Sequence, residues 1–170
     1  MPASAVCYVG LGSNLEPSLA TLQAALVTMK GLADVRGIRV SRFYRTAPVG
    51  RQDQPWFVNA VAGFHSTLDP FALLDSLSMI EKTHGRQRSE RWGPRTLDLD
   101  LLLAGDQCLD DPRLRLPHPE LHRRPFVLIP LAEIAPVDLM IPGRGRLDEW
   151  VEACSHTGIE LIEIPVSAVD

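Results

Sequence analysis

The chain has 170 residues, a length typical of one domain that buries its own hydrophobic core. Hydrophobic residues make up 45% of the chain and charged residues 22%, a composition that excludes a disordered or collagen-like protein. Its 17 Lys and Arg and 21 Asp and Glu give a net charge of −4, which excludes binding to nucleic acid or anionic membranes by bulk positive charge.

The N-terminal segment has no features of a secretion signal. It has no positively charged start, and Gly10 and Gly12 interrupt its apolar stretch. No stretch approaches the roughly 18 apolar residues of a membrane helix. The three cysteines, at positions 7, 108 and 154, fit neither a disulfide framework nor a CxxC metal site. We therefore expect a cytoplasmic, monomeric protein with reduced thiols and no membrane contact.

Hydrophobic periodicity predicts alternating strands and helices. An Asp69-Pro70 cap signal begins the second predicted helix, and Gly85 is its expected end. In chain order we predict strand 5–9, helix 17 to near 31, strand 38–45, loop 46–55, strand 56–64, helix 70–84, loop 85–96, strand 97–103, helices 126–134 and 147–154, and strand 159–164.

The first six elements have the β-α-β-β-α-β order of the ferredoxin-like fold. We expect an α+β sandwich of this type, formed by a single domain spanning 1–170, with a C-terminal extension. Its helices would cover one face of the sheet and leave the other face for a site. The fold by itself indicates no function.

The most informative segment is 85–100, where four arginines precede two aspartates. The arginines are Arg86, Arg88, Arg91 and Arg95. Asp98 and Asp100 alternate with leucines, so on a strand both carboxylates point to the same side, about 7 Å apart. Carboxylates suit Mg²⁺, and arginines match phosphate oxygens. The segment indicates either a site for a metal-bound polyphosphate or an acidic strand face paired with a basic loop for solubility.

Three other candidates stay open on the residues alone. The Gly10–Asn14 stretch is either a turn or a wall of a site, and lacks a Walker lysine. His118 and His122 have the spacing of a zinc pair, but Pro117 and Pro119 oppose a helix and no third ligand is evident, so a basic loop is favoured. The aromatic residues Phe57 and Phe126 either stack a flat ring, with Asn59 at its edge, or belong to the core.

Four segments resemble one known family. The stretch 91–103, RWGPRTLDLDLLL, is similar to the signature of the 6-hydroxymethyl-7,8-dihydropterin pyrophosphokinases. Also similar, in the family's order and spacing, are 10–15 (GLGSNL), 43–60 (FYRTAPVGRQDQPWFVNA) and 116–136 (LPHPELHRRPFVLIPLAEIAP). The resemblance extends from about residue 8 to residue 136. It implies a ferredoxin-like fold and transfer of pyrophosphate from ATP to the pterin hydroxymethyl group, with release of AMP.

The resemblance also implies residue roles. Two Mg²⁺ ions would bind Asp98 and Asp100, and the pterin would lie between Phe57 and Phe126, near Thr46, Val49 and Asn59. ATP contacts would come from Arg86, Arg88, Trp92, Arg95, His118 and Arg124. We expect Arg86 and Arg95 to stabilise charge on the transferring group, with Asp98 and Asp100 as the other catalytic residues. Asp100 is also the nearest candidate for a general base. The chain departs from the family at Phe57, often tyrosine, and at Ala47, often proline.

Two alternatives remain at this stage. A non-catalytic ferredoxin-like nucleotide- or RNA-binding module would present exposed aromatic residues on a basic sheet. Asp98 and Asp100 would repel a phosphate backbone there, and we expect no nucleic acid partner. A metal-dependent transferase with another acceptor would share the arginines and aspartates but would not need the aromatic pair and Asn59.

Overall fold

A six-stranded antiparallel sheet lies at the centre of the fold in this computed structural model, which describes residues 3–50, 52–84 and 96–164. The strand order is β10-β3-β4-β1-β5, and β2 also pairs with β4. These strands are β1 (Ala5–Ser13), β2 (Val35–Val40), β3 (Tyr44–Thr46), β4 (Phe57–Ser66), β5 (Asp98–Ala104) and β10 (Ile159–Leu161).

In the part of the chain that the structure describes, the remaining elements are four α-helices, two small hairpins and one 3₁₀ turn. The helices are α1 (Ser18–Lys30), α2 (Pro70–Thr83), α3 (Pro125–Ile134) and α4 (Leu147–Ala153). The hairpins pair β6 (Leu109–Asp110) with β7 (Arg115–Leu116), and β8 (Met140–Ile141) with β9 (Gly145–Arg146), and the 3₁₀ turn spans Leu121–Arg123. Within the described ranges, no helix is both long enough and apolar enough to cross a bilayer.

The first strand is longer than the sequence predicts, because it continues through Gly10 and Gly12 to Ser13. Both neighbouring strands, β4 and β5, pair with β1 along this part. Hydrogen bonds on both sides stabilise an extended backbone at glycines that have little strand propensity of their own. Of the two interpretations of this stretch, a plain turn is therefore wrong.

The predicted strand 38–45 is two strands, β2 and β3, which both pair with β4. Ser41 lies at the break. Its backbone N–H donates to the Val61 carbonyl at 2.9 Å, and its hydroxyl accepts from the Val61 N–H at 2.9 Å. The serine side chain thus takes the place of a backbone carbonyl in the ladder, which ends one strand and lets the chain turn before the next.

Helices lie on both faces of the sheet. Helices α1 and α2 pack on one face, in a core cluster that includes Val9, Phe64 and Leu77. Helices α3 and α4 pack on part of the other face, around Tyr8 and Val61. The prediction that helices cover one face only is wrong, because α3 is apolar around most of its circumference and is buried between the sheet and α4. The second helix agrees with its cap signal, since Asp69 accepts from the Phe71 N–H at 2.9 Å.

Candidate active site

A cleft of about 860 Å³ opens at one end of the sheet, between the loop after β3, the start of α3 and the segment before β10. The structure brings eight residues singled out from the sequence to this cleft. They are Thr46, Val49, Phe57, Asn59, Asp98, Asp100, Arg124 and Phe126. These residues come from four separated segments, at the end of β3 and the loop after it, in β4, in β5 and at the start of α3, so the fold gathers both halves of the predicted site around one space.

Two glycines of β1 form the floor of the cleft. Gly10 pairs with Asp100 on one side, and Gly12 pairs with Asp98 on that side and with Asn59 on the other. Both glycines line the cleft. Since neither glycine has a side chain, the space over β1 stays open between the aspartates of β5 and the polar and aromatic residues of β4.

The acidic edge of the cleft is formed by β5. Asp98 is half-buried and Asp100 is exposed, while Leu97, Leu99 and Leu101 are buried, as the alternation predicts. Between the aspartates, the Leu99 N–H donates to Oε2 of the buried Glu81 at 3.0 Å.

Glu81 is not among the residues predicted from the sequence, although the sequence contains a usable signal for it. Glu81 lies one turn after Leu77, on the face of α2 that the leucine stripe predicts to be buried. Its carboxylate links the end of α2 to the segment of β5 that presents both aspartates. Glu81 therefore helps to fix the position of β5, and so of Asp98 and Asp100, from the face of the sheet that α2 covers.

The donor set at this edge fits a Mg²⁺ ion that is partly coordinated by substrate. Two carboxylates reach the cleft from one strand, and they are hard oxygen ligands. Among the described residues, no group of three or more His, Cys, Asp or Glu side chains comes together to hold a metal alone. A pair of carboxylates suits Mg²⁺, because this ion usually keeps several waters and takes further ligands from phosphates.

Arg124 links the acidic edge to the aromatic end of the cleft. Its Nη1 lies 4.0 Å from Oδ2 of Asp100, and its guanidinium carbon lies 5.7 Å from the centre of the Phe126 ring. The side chain is one-quarter exposed, so it is held in the cleft wall. An arginine in this place provides positive charge beside the carboxylates, where a phosphate group would bind.

The aromatic end of the cleft has a buried polar pair. The Asn59 side-chain N–H donates to the Thr46 hydroxyl oxygen at 2.5 Å, and both residues are buried. Phe57 is the register neighbour of Thr46, and Phe126 projects from the first turn of α3. Both rings line the cleft, which favours the ring-stacking interpretation over a purely structural core role.

His118 lies on the other side of Asp100, in a second cavity of about 270 Å³ that Asp100 also lines. Its Nδ1 accepts from the Glu120 N–H at 3.1 Å, so the neutral ring has its proton on Nε2. Burial lowers the pKa of His118, and Arg124 lowers it further, against the opposing effect of Asp100. Arg113 and Arg115, which are not among the residues predicted from the sequence, also line this cavity.

His122 has a different environment from His118. Its Nε2 lies 2.9 Å from Nη1 of Arg144, and its ring packs edge-on against Trp150 at 5.0 Å between centroids. The two histidines therefore have different partners, and among the described residues neither belongs to a group of three or more potential metal ligands. His122 instead connects the segment before α3 to the β8–β9 hairpin and α4.

The C-terminal segment contributes a wall that the sequence did not reveal. Thr157, Gly158 and Ile159 line the cleft, and the Ala47 N–H donates to the Gly158 carbonyl at 2.9 Å. Gly158 has a φ of 76°, a conformation that favours glycine. This glycine before a short apolar run was the only available signal, and it predicts a turn without indicating what the turn faces.

The arginine-rich loop lies outside the described residues. Arg86, Arg88, Arg91, Trp92 and Arg95 all fall in the range 85–95, and so does the predicted helix end at Gly85. The described neighbours of this range are His84, at the end of α2, and Thr96, two residues before β5. The expected roles of these arginines remain predictions from the sequence.

Comparison with known proteins gives a consistent result. The family described as 7,8-dihydro-6-hydroxymethylpterin-pyrophosphokinase (HPPK) matches residues 8–136. A Pseudomonas aeruginosa protein named 2-amino-4-hydroxy-6-hydroxymethyldihydropteridine pyrophosphokinase is 50% identical over 153 residues, or 90% of this chain and 94% of that protein. A Haemophilus influenzae protein of the same name is 46% identical over 91% of this chain and 96% of its own length.

Solved structures show the same fold at much lower identity. A Plasmodium falciparum HPPK-DHPS crystallised with pteroate superposes with a TM-score of 0.69 at 12% identity, over 89% of this chain. An HPPK-DHPS in complex with substrates gives a TM-score of 0.67, also at 12% identity. This chain spans 42% and 43% of the length of those two chains.

Proposed function

The chain belongs to the 7,8-dihydro-6-hydroxymethylpterin-pyrophosphokinase family, and we propose a substrate-binding or catalytic role for each of its site residues in the family's reaction. The chain transfers pyrophosphate from ATP to 6-hydroxymethyl-7,8-dihydropterin, a step of folate biosynthesis. The observation that supports a division of roles is the single cleft that both the aromatic pair and the aspartate pair line.

The aromatic end of the cleft binds the pterin. Phe57 and Phe126 stack against the two faces of the bicyclic ring, and Asn59, Thr46 and Val49 lie along its edge. Asn59 is suited to this role because its amide is already oriented by Thr46, which leaves the side-chain carbonyl to accept a hydrogen bond. Such a preoriented polar group recognises the pterin edge with little loss of side-chain entropy.

The acidic edge and the second cavity receive ATP. Asp98 and Asp100 would hold two Mg²⁺ ions, which would supply compensation of phosphate charge and polarisation of the reacting oxygens. Arg124 binds phosphate oxygens from the cleft wall, while His118 contacts the nucleotide from the second cavity. Arg86, Arg88, Trp92 and Arg95 complete the ATP site from the loop 85–95, as the family resemblance implies.

In-line attack by the pterin hydroxymethyl oxygen on the β-phosphorus forms one P–O bond and breaks the bond between the β-phosphorus and the oxygen that leaves with AMP. The hydroxyl proton passes to Asp100, the nearest candidate for a general base. The chain's main contribution is to position the two substrates and to stabilise charge. Arg86 and Arg95 stabilise the charge that develops on the transferring group.

Fold and organisation fit this scheme. The sheet order β5-β1-β4-β3 with α1 and α2 on one face supports a ferredoxin-like arrangement. The chain acts as a single-domain monomer in the cytoplasm, with ATP and the pterin as its partners and no nucleic acid. Elution on size-exclusion chromatography with light scattering at the mass of one chain would agree with this, and a dimer mass would contradict it.

One assay tests the reaction. The protein is incubated with ATP, Mg²⁺ and 6-hydroxymethyl-7,8-dihydropterin, and the nucleotide products are separated. AMP together with a pyrophosphorylated pterin is the expected result. ADP would indicate an ordinary kinase, and no turnover would favour a binding module. Removal of Mg²⁺ with a chelator is expected to abolish AMP formation, and its restoration to recover it.

A further inference from the structure

Glu133 of α3 forms a hydrogen-bonded cluster with Arg42 and Tyr44, which precede and begin β3. Its Oε1 accepts from the Arg42 backbone N–H at 2.8 Å, and its Oε2 accepts from Arg42 Nε at 3.2 Å. The Tyr44 hydroxyl also donates to Oε2. We call Arg42, Tyr44 and Glu133 the Glu133 cluster. Neither the family resemblance nor the lining of the cleft assigns any of these three residues to a substrate.

The two elements joined by this cluster present the two proposed pterin walls. Helix α3 begins at Pro125, so Phe126 lies in its first turn and Glu133 seven residues later, about 10 Å along the same helix. On the other side, Tyr44 pairs with Asn59 in the β3–β4 register, and Thr46 pairs with Phe57. The cluster therefore connects the helix of one aromatic ring to the strand pair of the other.

At the N-cap of α3, Arg124 also pairs with Asp100 of β5, whereas the core contacts between α3 and the sheet are apolar. They involve residues such as Val61, Leu128 and Leu131, all fully buried. Apolar packing is non-directional, and it permits small shifts of a helix along a sheet, whereas a carboxylate with several donors fixes one position. Burial and the hydrogen bond to Glu133 raise the pKa of Tyr44 to about 12, so this phenol remains a donor throughout the neutral range.

We propose that Glu133 is a positioning residue for the pterin: through Arg42 and Tyr44 it sets the placement of α3, and hence of Phe126, relative to Phe57 and Asn59. This inference rests on the proposed function, in which the pterin lies between the two rings. Glu133 does not touch the substrate, and we expect it to affect pterin binding more than ATP binding. Phe126 lies in the first turn of α3, whereas Asp98 and Asp100 lie on β5 at the other edge of the sheet. Among the described residues, only Arg124, at the N-cap of α3, connects this helix to the proposed ATP site.

The test compares the affinities for the two substrates in the full chain. Dissociation constants are measured by titration calorimetry for Mg-ATP, and for 6-hydroxymethyl-7,8-dihydropterin in the presence of a non-hydrolysable ATP analogue. We expect Glu133→Ala to weaken pterin binding about tenfold and to weaken ATP binding by a clearly smaller factor, while an equal loss for both substrates would overturn the specific role in pterin binding. Tyr44→Phe is expected to weaken pterin binding to a smaller extent. Glu133→Gln retains an acceptor for the Arg42 N–H and is expected to restore part of the affinity.

Ile134→Val is the matched control on the same helix. Ile134 is buried beside the sheet, so this variant lowers the melting temperature without touching the Glu133 cluster. Its pterin affinity is expected to equal that of the unmodified protein. A similar loss of pterin affinity in Ile134→Val and Glu133→Ala would show a general loss of stability and would overturn the positioning role.

Two further variants separate this inference from the proposed function. Phe57→Ala and Phe126→Ala remove the proposed stacking surfaces themselves. If neither weakens pterin binding, the placement of the pterin is wrong and the role of Glu133 fails with it. If both weaken pterin binding while Glu133→Ala and Tyr44→Phe do not, the pterin placement stands and the positioning role alone is overturned.

Discussion

Gly12 and Asn59 face each other across the β1–β4 pair so closely that no side chain fits between them. A Cβ atom built on Gly12 would lie 2.7 Å from Oδ1 of Asn59, well inside van der Waals contact. At Gly10, two residues earlier on the same strand, a Cβ would meet the Leu102 side chain at 3.7 Å, an ordinary contact distance. The glycine at position 12 is therefore required by the position of the Asn59 amide.

We expect Gly12→Ala to raise the KM for the pterin. The new methyl group displaces the Asn59 side chain from its contact with Thr46, which costs about 1–2 kcal/mol of pterin binding, or roughly tenfold. Steady-state kinetics with each substrate varied in turn measure the effect, and the KM for ATP is expected to change less. Gly10→Ala is expected to have a smaller effect on the pterin KM. An equal effect of both variants would contradict the role of the Gly12–Asn59 contact.

Asp98→Ala is expected to abolish AMP formation and leave the fold intact. Loss of one of the two proposed metal-binding carboxylates weakens metal binding, and without the metal the charge of the phosphates is not compensated. We therefore expect kcat to drop at least about 10²-fold. Asp98 lies on the same strand face as Asp100, and removal of one of two like charges does not harm folding. AMP release and the melting temperature are measured together.

Asp106→Ala is the control for this variant, since Asp106 lies exposed in the turn after β5, away from the cleft. Its activity is expected to be close to that of the unmodified chain. If Asp98→Ala retains comparable activity at saturating Mg²⁺, the assignment of Asp98 to the metal is wrong.

Patterns of local spacing predicted the acidic edge correctly. Alternation of leucine and aspartate in 97–101 is enough to place two carboxylates on one strand face, because side chains alternate strictly along a strand. The cap at Asp69 and the stripe of α2 depend on equally local signals, and the structure has both. The resemblance, more than periodicity, connected these carboxylates to Phe57, Asn59 and Phe126.

Features that depend on tertiary contacts were not predictable from local spacing. Helix α3 was expected from its apolar run, but that run does not indicate which face of the sheet it covers. Likewise, Gly158 and its neighbours reach the cleft only because β10 pairs with β3 at the sheet edge. Three residues of a short exposed strand give no periodicity from which such a pairing could be read.

Arg95→Ala tests the catalytic role that the resemblance implies for the loop 85–95. If Arg95 stabilises charge on the transferring group, its loss lowers kcat more than it weakens ATP binding, because the interaction strengthens in the transition state. The measurement is kcat and the KM for ATP, with the dissociation constant of ATP from direct titration. A rise in the KM for ATP with unchanged kcat would make Arg95 a binding residue only.

His122→Gln is expected to make the protein less sensitive to mild acid. Burial and the charges of Arg144 and Arg123 hold the pKa of His122 below its ordinary value of 6.5, while Glu120 opposes them. Arg144 donates to Nε2, so the neutral ring has its proton on Nδ1, which meets no hydrogen-bond partner among the described residues. As the pH falls below about 6.5, the unfolded chain takes up a proton that the folded chain resists, and the free energy of unfolding decreases.

Glutamine retains an acceptor for Arg144 but does not titrate, so His122→Gln removes this part of the pH dependence. His118, whose pKa is also lowered, keeps a contribution of the same sign in the variant. Melting temperatures from about pH 7 to about pH 5 are therefore expected to fall less steeply in His122→Gln than in the unmodified chain. His156→Gln, at an exposed position, is the control and is expected to leave the slope unchanged. Equal slopes in all three proteins would show that His122 titrates alike in the folded and unfolded chain.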